Sequence, residues 1–145
     1  MRADILEKNS GRADNRRKIK WVTEAYTATV EDSGTLFLID QGAAYAVTLP
    51  ECATKDNELM GWHADFILHT AAANAVTVQV TADDGDNMVG HGIDCEDSTQ
   101  TESTGFDVLT FASGATKGDR ASIVCDGDSY YVFSLAADKA HITFS

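Results

Sequence analysis

The chain has 145 residues, 43% of them hydrophobic, and a formal net charge of −12 at pH 7. That length suits one domain able to bury roughly two thirds of its unfolded surface, and the apolar fraction excludes a disordered acidic chain. Charge is unevenly spread: residues 1–20 carry seven basic and three acidic side chains, net +4, whereas residues 21–145 carry four basic and 20 acidic, net −16.

Residues 1–20 read as a basic N-terminal arm, with weak helical propensity over residues 3–8 and Gly11 as a breaker. They contain no apolar signal-peptide core, so synthesis without Sec export is expected, and no apolar run in the chain approaches the length of a membrane span. From Trp21 onward the period is two, and residues 21–145 read as a single β-domain. "EAYTATVED" sets Tyr26, Ala28 and Val30 on one face, and "YAVTLP" sets Tyr45, Val47 and Leu49, closed by the only proline, Pro50. "GWHADFILHT" points Trp62, Ala64, Phe66 and Leu68 inward and His63, Asp65, Ile67 and His69 outward. "AVTVQVTA" aligns Val76, Val78 and Val80 against Thr77, Gln79 and Thr81, a half-buried strand rich in β-branched residues. "TLFLID" and "FDVLTFA" are apolar on both faces, as expected of central strands or of strands covered by a neighbouring subunit.

The stretch from 91 to 105, "HGIDCEDSTQTESTG", is polar and reads as a long exposed loop. Ala121, Ile123 and Cys125 then alternate inward. "DGDS" supplies the Asp-Gly signal of a tight turn, Tyr130 to Leu135 returns as the partner strand, and "HITF" closes the chain. Turn signals about every ten residues, without a long helical period, predict an all-β fold, an antiparallel β-sandwich or barrel with an extended N-terminal arm.

Candidate chemistry is sparse. His63 and His69 share one strand face but stand about 20 Å apart, too far for one ion, and His91 and His141 have no ligand pair nearby in sequence. "ADDGDN" over 82–87 has oxygen density but not the calcium-loop order. "ASGATKGD" lacks the phosphate-loop order and reads as a turn. Cys52, Cys95 and Cys125 are odd in number and widely spaced, which argues against a disulfide framework or a zinc site and for free thiols in a reducing compartment. A nucleophilic cysteine needs a cationic or helix-terminal setting; Cys95 lies among carboxylates and Cys125 alternates inward. Chance carboxylate pairs are inevitable with 20 acidic residues in the body, so the expectation is no enzyme and no cofactor. Tyr130, Tyr131 and Trp62 form a possible aromatic platform for sugar, though packing or an interface is favoured.

"YTATVEDSGTLFLIDQGAAYAVTLP" resembles the opening of a group of bacteriophage virion proteins in which a T-x-x-D-S-G-x-x-F-x-x-D strand pair precedes x-V-T-L-P. "GDRASIVCDGDSYYVF" is similar to their GD-x-V-x-x-x-S-D-G-x-x-W-Y-V hairpin, with Asp119, Asp126, Gly127, Tyr131 and Val132 matching. "AADKAHITFS" resembles their closing strand. The likeness spans about residues 24–145 and departs at Tyr130, where tryptophan is usual, and at Cys125, where serine is usual. It implies a capsid decoration (cement) protein or a related fibre or spike domain, and a homotrimer.

The expected function is therefore a phage head decoration protein on the outer capsid surface of the virion. Its partners would be the major capsid protein and itself, with no nucleic acid and no membrane. Arg12, Arg16, Arg17, Lys18 and Lys20 would pair with capsid carboxylates while Trp21 anchors the arm. Leu36, Phe37, Leu38, Ile39, Leu109 and Phe111 would form the trimer contact, and the arm would be disordered until bound. The alternatives are a tail-fibre or spike domain binding host glycans and, further off, a polysaccharide depolymerase.

Overall fold

Period-two alternation with β-branched and aromatic residues produces short strands whose inward side chains must find a facing layer. The computed structural model describes residues 16–52, 59–70, 74–81, 88–98 and 100–145. Arg12, the start of the arm and the acidic 82–87 turn lie outside the described residues. The strands are β1 (Lys18–Val22), β2 (Tyr26–Thr27), β3 (Thr35–Ile39), β4 (Tyr45–Thr48), β5 (His63–Leu68), β6 (Val76–Gln79), β7 (Met88–Asp94), β8 (Gln100–Phe106), β9 (Val108–Phe111), β10 (Arg120–Cys125), β11 (Tyr130–Ala136) and β12 (Ile142–Phe144). They form a seven-stranded sheet, β1-β3-β5-β10-β11-β7-β8, and a five-stranded sheet, β12-β9-β6-β4-β2. Packed together, the two make a β-sandwich.

The sheets are mixed, not antiparallel. β1, β3 and β5 pair in parallel, and so do β2, β4 and β6 in the other sheet. Over this half the chain deposits strands in the two sheets by turns. Each connection is an arch between layers, so the next strand in a given sheet returns in the same direction. Antiparallel pairing takes over in the second half, with β7–β8, β10–β11, β10–β5, β6–β9 and β12–β9, while β11–β7 is again parallel.

The inward residues read from the alternation are in the core: Val47, Leu49, Trp62, Ala64, Phe66, Leu68, Val76, Val78, Val80, Ala121, Ile123 and Cys125 are all buried. Phe37 stacks on Phe66 at 4.9 Å, and Trp62 meets Tyr130 edge-on at 5.9 Å. The polar tips of these aromatics are satisfied: Trp62 Nε1 donates to the Thr29 carbonyl at 3.1 Å and the Tyr130 hydroxyl to that of Pro50 at 2.6 Å. Val30 departs from the expected alternation. It begins a 3₁₀ turn, Val30–Asp32, and is exposed.

Three expectations are corrected. Residues 91–105 are not a loop but most of the β7–β8 hairpin, with a bulge at Met88/Val89. The inward positions of β7 alternate Met88, Gly90, Gly92 and Asp94, so glycine erases the apolar signal there. A Cβ on Gly90 would lie 2.3 Å from the Val132 carbonyl oxygen, and one on Gly92 would reach Ser134 Oγ and the Phe144 ring. Second, Lys18 and Lys20 are not in a loose arm but in β1, an edge strand, and Arg17 is paired with Asp65; residues 1–15 of the expected arm lie outside those described. Third, Phe37, Ile39, Leu109 and Phe111 have no exposed surface. They are filled by this chain's own core and are unavailable to a subunit contact; Leu36 and Leu38, on the opposite face of β3, are half-buried.

Two predictions follow from this packing. Gly90→Ala forces a methyl against backbone and should cost about 2 kcal/mol, read as a lower urea midpoint with an unchanged slope. Tyr45, on β4, clips the sheets together: its hydroxyl lies 2.6 Å from the Val22 carbonyl oxygen on β1 and 2.8 Å from that of Asp40. Burial, with the Asp40 charge adding, pushes this phenol up to about 12. Folding thus favours the neutral form, a contribution complete below the unfolded value near pH 10 and lost as pH climbs towards about 12. Thermal melts across that window should fall less steeply for Tyr45→Phe than for the wild type; equal slopes would remove Tyr45 from the account.

Candidate functional site

The two outer faces of the sandwich differ in chemistry. On the five-stranded sheet, pairing sets Ala46, Thr77, Thr110 and Thr143 in one row and Thr27, Thr48, Gln79 and Val108 in another. That surface is mostly hydroxyl and amide, and water solvates it readily.

Over the first six strands of the seven-stranded sheet the outward residues form three rows, which the register continues to Thr104, Glu102 and Gln100 on β8. One runs His63, Val124, Tyr131, Val89; the next Ile19, Leu36, Asp65, Ser122, Phe133, His91; the third Trp21, Leu38, Ile67, Arg120, Leu135, Ile93. Most of these are large and apolar. Leu36, Leu38, Ile67, Leu135, Val89 and Ile93 are half-buried, but Val124, Tyr131 and Phe133 are 44%, 49% and 50% exposed, and Trp21 and Ile19 are 56% and 59% exposed. An open groove of about 340 Å³ runs between β5, β10 and β11, lined by His63, Asp65, Ser122, Val124, Tyr131 and Phe133. A face this rich in exposed large apolar side chains is the usual mark of an interaction surface.

Charge on the face is sparse. Asp65, at its centre, is paired with the Arg17 guanidinium and accepts a hydrogen bond from the Ser122 hydroxyl. At the rim, the Tyr131 hydroxyl donates to Asp126 at 3.0 Å. That hydrogen bond and the Asp126 charge raise the Tyr131 phenol, while the backbone N–H groups of Ser129 and Asp128 lower Asp126. Among the described side chains of the three rows, the charged residues are Asp65 and Arg120.

The basic residues are largely engaged within the chain. Lys18 Nζ donates to the Glu31 carbonyl at 3.0 Å, and Lys20 Nζ sits 3.7 Å over the Tyr26 ring. Tyr26 in turn donates to Asp32 at 2.7 Å. Trp21 packs against His69, ring centroids 4.3 Å apart, and Arg17 holds Asp65. Arg16 is exposed, and Arg12 lies outside the described residues. The six residues assigned to capsid binding are thus divided: Arg17, Lys18, Lys20 and Trp21 fasten the edge strand and border the apolar face.

Sequence reasoning placed His63, Asp65, Ile67 and His69 outward correctly. It missed that Val124, Tyr131 and Phe133 complete the same surface, although "SYYVFSL" is apolar at both alternations. It also missed two juxtapositions of residues distant in the chain. Asp119, 3% exposed, accepts hydrogen bonds from the Thr116 and Ala137 N–H groups and pairs with His141 Nδ1, all at 2.8 Å. Glu96 meets Asp138 on exposed turns, and the Asp138 charge raises the Glu96 carboxyl. Among the described residues no three histidine, cysteine or acidic side chains are grouped to hold a metal. No protein-family model matches the sequence, and no curated protein matches it significantly.

Proposed function

We propose that this chain is a phage head decoration protein: it self-associates as a homotrimer, binds the outer capsid surface and stabilises junctions between capsomers. The observation that carries the reading is the apolar outer face of the seven-stranded sheet, which a single copy leaves open. A second layer on that face removes Val124, Tyr131, Phe133, Ile19 and Trp21 from water, and each Å² of apolar surface so covered is worth roughly 25 cal/mol. Broad, largely apolar interfaces of about 2,000 Å² and more are typical of permanent assemblies. The number of copies, three, comes from the resemblance to decoration proteins.

The capsid contact then falls to Arg12 and Arg16 and the segment that carries them, because Arg17, Lys18 and Lys20 are used within the chain. The acidic body repels phosphate, so the partner for that segment is an acidic protein surface. A glycan-binding fibre domain would need a ligand cleft and only a handful of copies per particle; a decoration protein is present in hundreds. Counting copies on purified particles separates the two.

Two experiments test the reading. Tyr131→Glu with Phe133→Glu places carboxylates in the centre of the face and should lower the sedimentation mass from trimer to monomer with the circular dichroism unchanged. A wild-type protein that is monomeric at every concentration refutes the association outright. Deleting residues 1–16 removes Arg12 and Arg16, spares β1 and should preserve the trimer while weakening capsid binding at least about tenfold. Undiminished capsid binding by the truncated protein would remove the segment's role.

A further inference from the structure

Cys52 and Cys125 are 73 positions apart in the chain, yet their Sγ atoms face each other at 3.0 Å inside the core. Both are free thiols, and both are buried, 4% and 1% exposed. Each stands on held backbone. Cys125 ends β10, where its N–H donates to the Trp62 carbonyl at 2.8 Å and its carbonyl accepts from Gly61 N–H at 2.8 Å. Cys52 follows the Pro50 carbonyl that takes the Tyr130 hydroxyl. The pair joins the segment leaving the five-stranded sheet to the seven-stranded sheet. All three thiols are free, as the spacing suggested, but the fold brings two of them together and leaves Cys95 exposed on the β7–β8 turn.

We propose that Cys52 and Cys125 are a latent disulfide, closing into a covalent staple between the two sheets when the folded protein meets an oxidising environment. The reaction is exchange with a small-molecule disulfide such as oxidised glutathione. The Cys52 thiolate attacks one of its sulfurs, forms a mixed disulfide and expels one thiolate. The Cys125 thiolate then attacks the Cys52 sulfur and expels the second. Two protein thiols are oxidised, one external disulfide is reduced to two thiols, and the two protons end on the expelled thiolates. A bond of about 2.05 Å requires the sulfurs to close by about 1 Å. Burial, then the neighbouring Cys125, raise the Cys52 thiol, so exchange is slow near neutrality, needs local opening of residues 50–52 and accelerates with pH. The bond does not depend on the decoration reading. Only its timing does: oxidation after the particle leaves the reducing interior where the chain is made.

The test uses the full-length protein, purified with reductant and equilibrated in glutathione buffers from fully reduced to fully oxidised. After alkylation, intact mass and peptide mapping are read together with thermal melts. The expected result is a loss of about 2 Da, a Cys52–Cys125 cross-linked peptide, alkylation at Cys95 alone, and a melting temperature raised on the order of 10 °C, all reversed by dithiothreitol. Cys95→Ser should form the same Cys52–Cys125 bond with the same mass loss and rise in melting temperature, with no alkylation, and Cys125→Ser should show neither the bond nor the rise. Full alkylation of Cys52 and Cys125 in the most oxidising buffer overturns the proposal, as does cross-linking through Cys95. A bond that forms without raising the melting temperature overturns its role as a staple. None of these readouts involves a capsid or an oligomer, so failure here leaves the decoration reading standing, and the reverse.

Discussion

A β-strand presents side chains to both faces, and a two-layer sandwich can cover only one face of each sheet. Here the inner faces are closed by Phe37, Phe66, Trp62, Tyr130, Leu109 and Phe111, all at most 2% exposed. The outer faces are left to the surroundings, and they have been given different chemistry. Threonine and glutamine cover one. Leucine, isoleucine, tyrosine and phenylalanine predominate on the other, with Asp65, Arg120, Ser122, His63 and His91 among them. Large apolar surfaces usually mark interaction sites, and the proposed association would supply a third layer on the seven-stranded sheet, the constraint around which the reading is organised.

The edge of that sheet shows how the chain prepares the surface. β1 adds Ile19 and Trp21 to the apolar rows, while the intervening Lys18 and Lys20 turn to the other side and hold the Glu31 carbonyl and the Tyr26 ring. Charged side chains on an edge strand discourage further pairing with the strands of other copies. Association through the face is thereby favoured over association through the edge. The Arg17–Asp65 pair serves the same end, because a central carboxylate without a partner would oppose burial of everything around it.

Much of the strand pattern was legible in the sequence, since alternation alone identifies which residues of β5, β6 and β10 point inward. The 126–129 turn was legible from Asp126 and Gly127. What alternation cannot report is which strand lies beside which. β1 and β3 are neighbours although a strand of the other sheet separates them in the chain, and this layer-switching course produced the parallel pairing that tight-turn signals did not foretell. Strands apolar at both alternations are ambiguous in the same way. "TLFLID" and "FDVLTFA" gave no means of telling Phe37 and Phe111, which are core, from Leu36, which is outer surface. The β7–β8 hairpin was hidden because Gly90 and Gly92 replace apolar residues where the Val132 backbone and the Phe144 ring come close. Proximity of Cys52 to Cys125, or of Asp119 to His141, is a product of the same unreadable strand order.

The central claim, that the outer face of the seven-stranded sheet is covered by further copies of the chain, is tested most directly by hydroxyl-radical footprinting over a range of protein concentrations. Tyr131, Phe133 and Trp21 report the face, and Met60, 63% exposed and outside the three rows, serves as the internal reference. Oxidation of the three aromatics should fall severalfold relative to Met60 as concentration rises through the association range. If their oxidation keeps pace with Met60 from the most dilute sample to the most concentrated, the face stays open to water and the account is wrong.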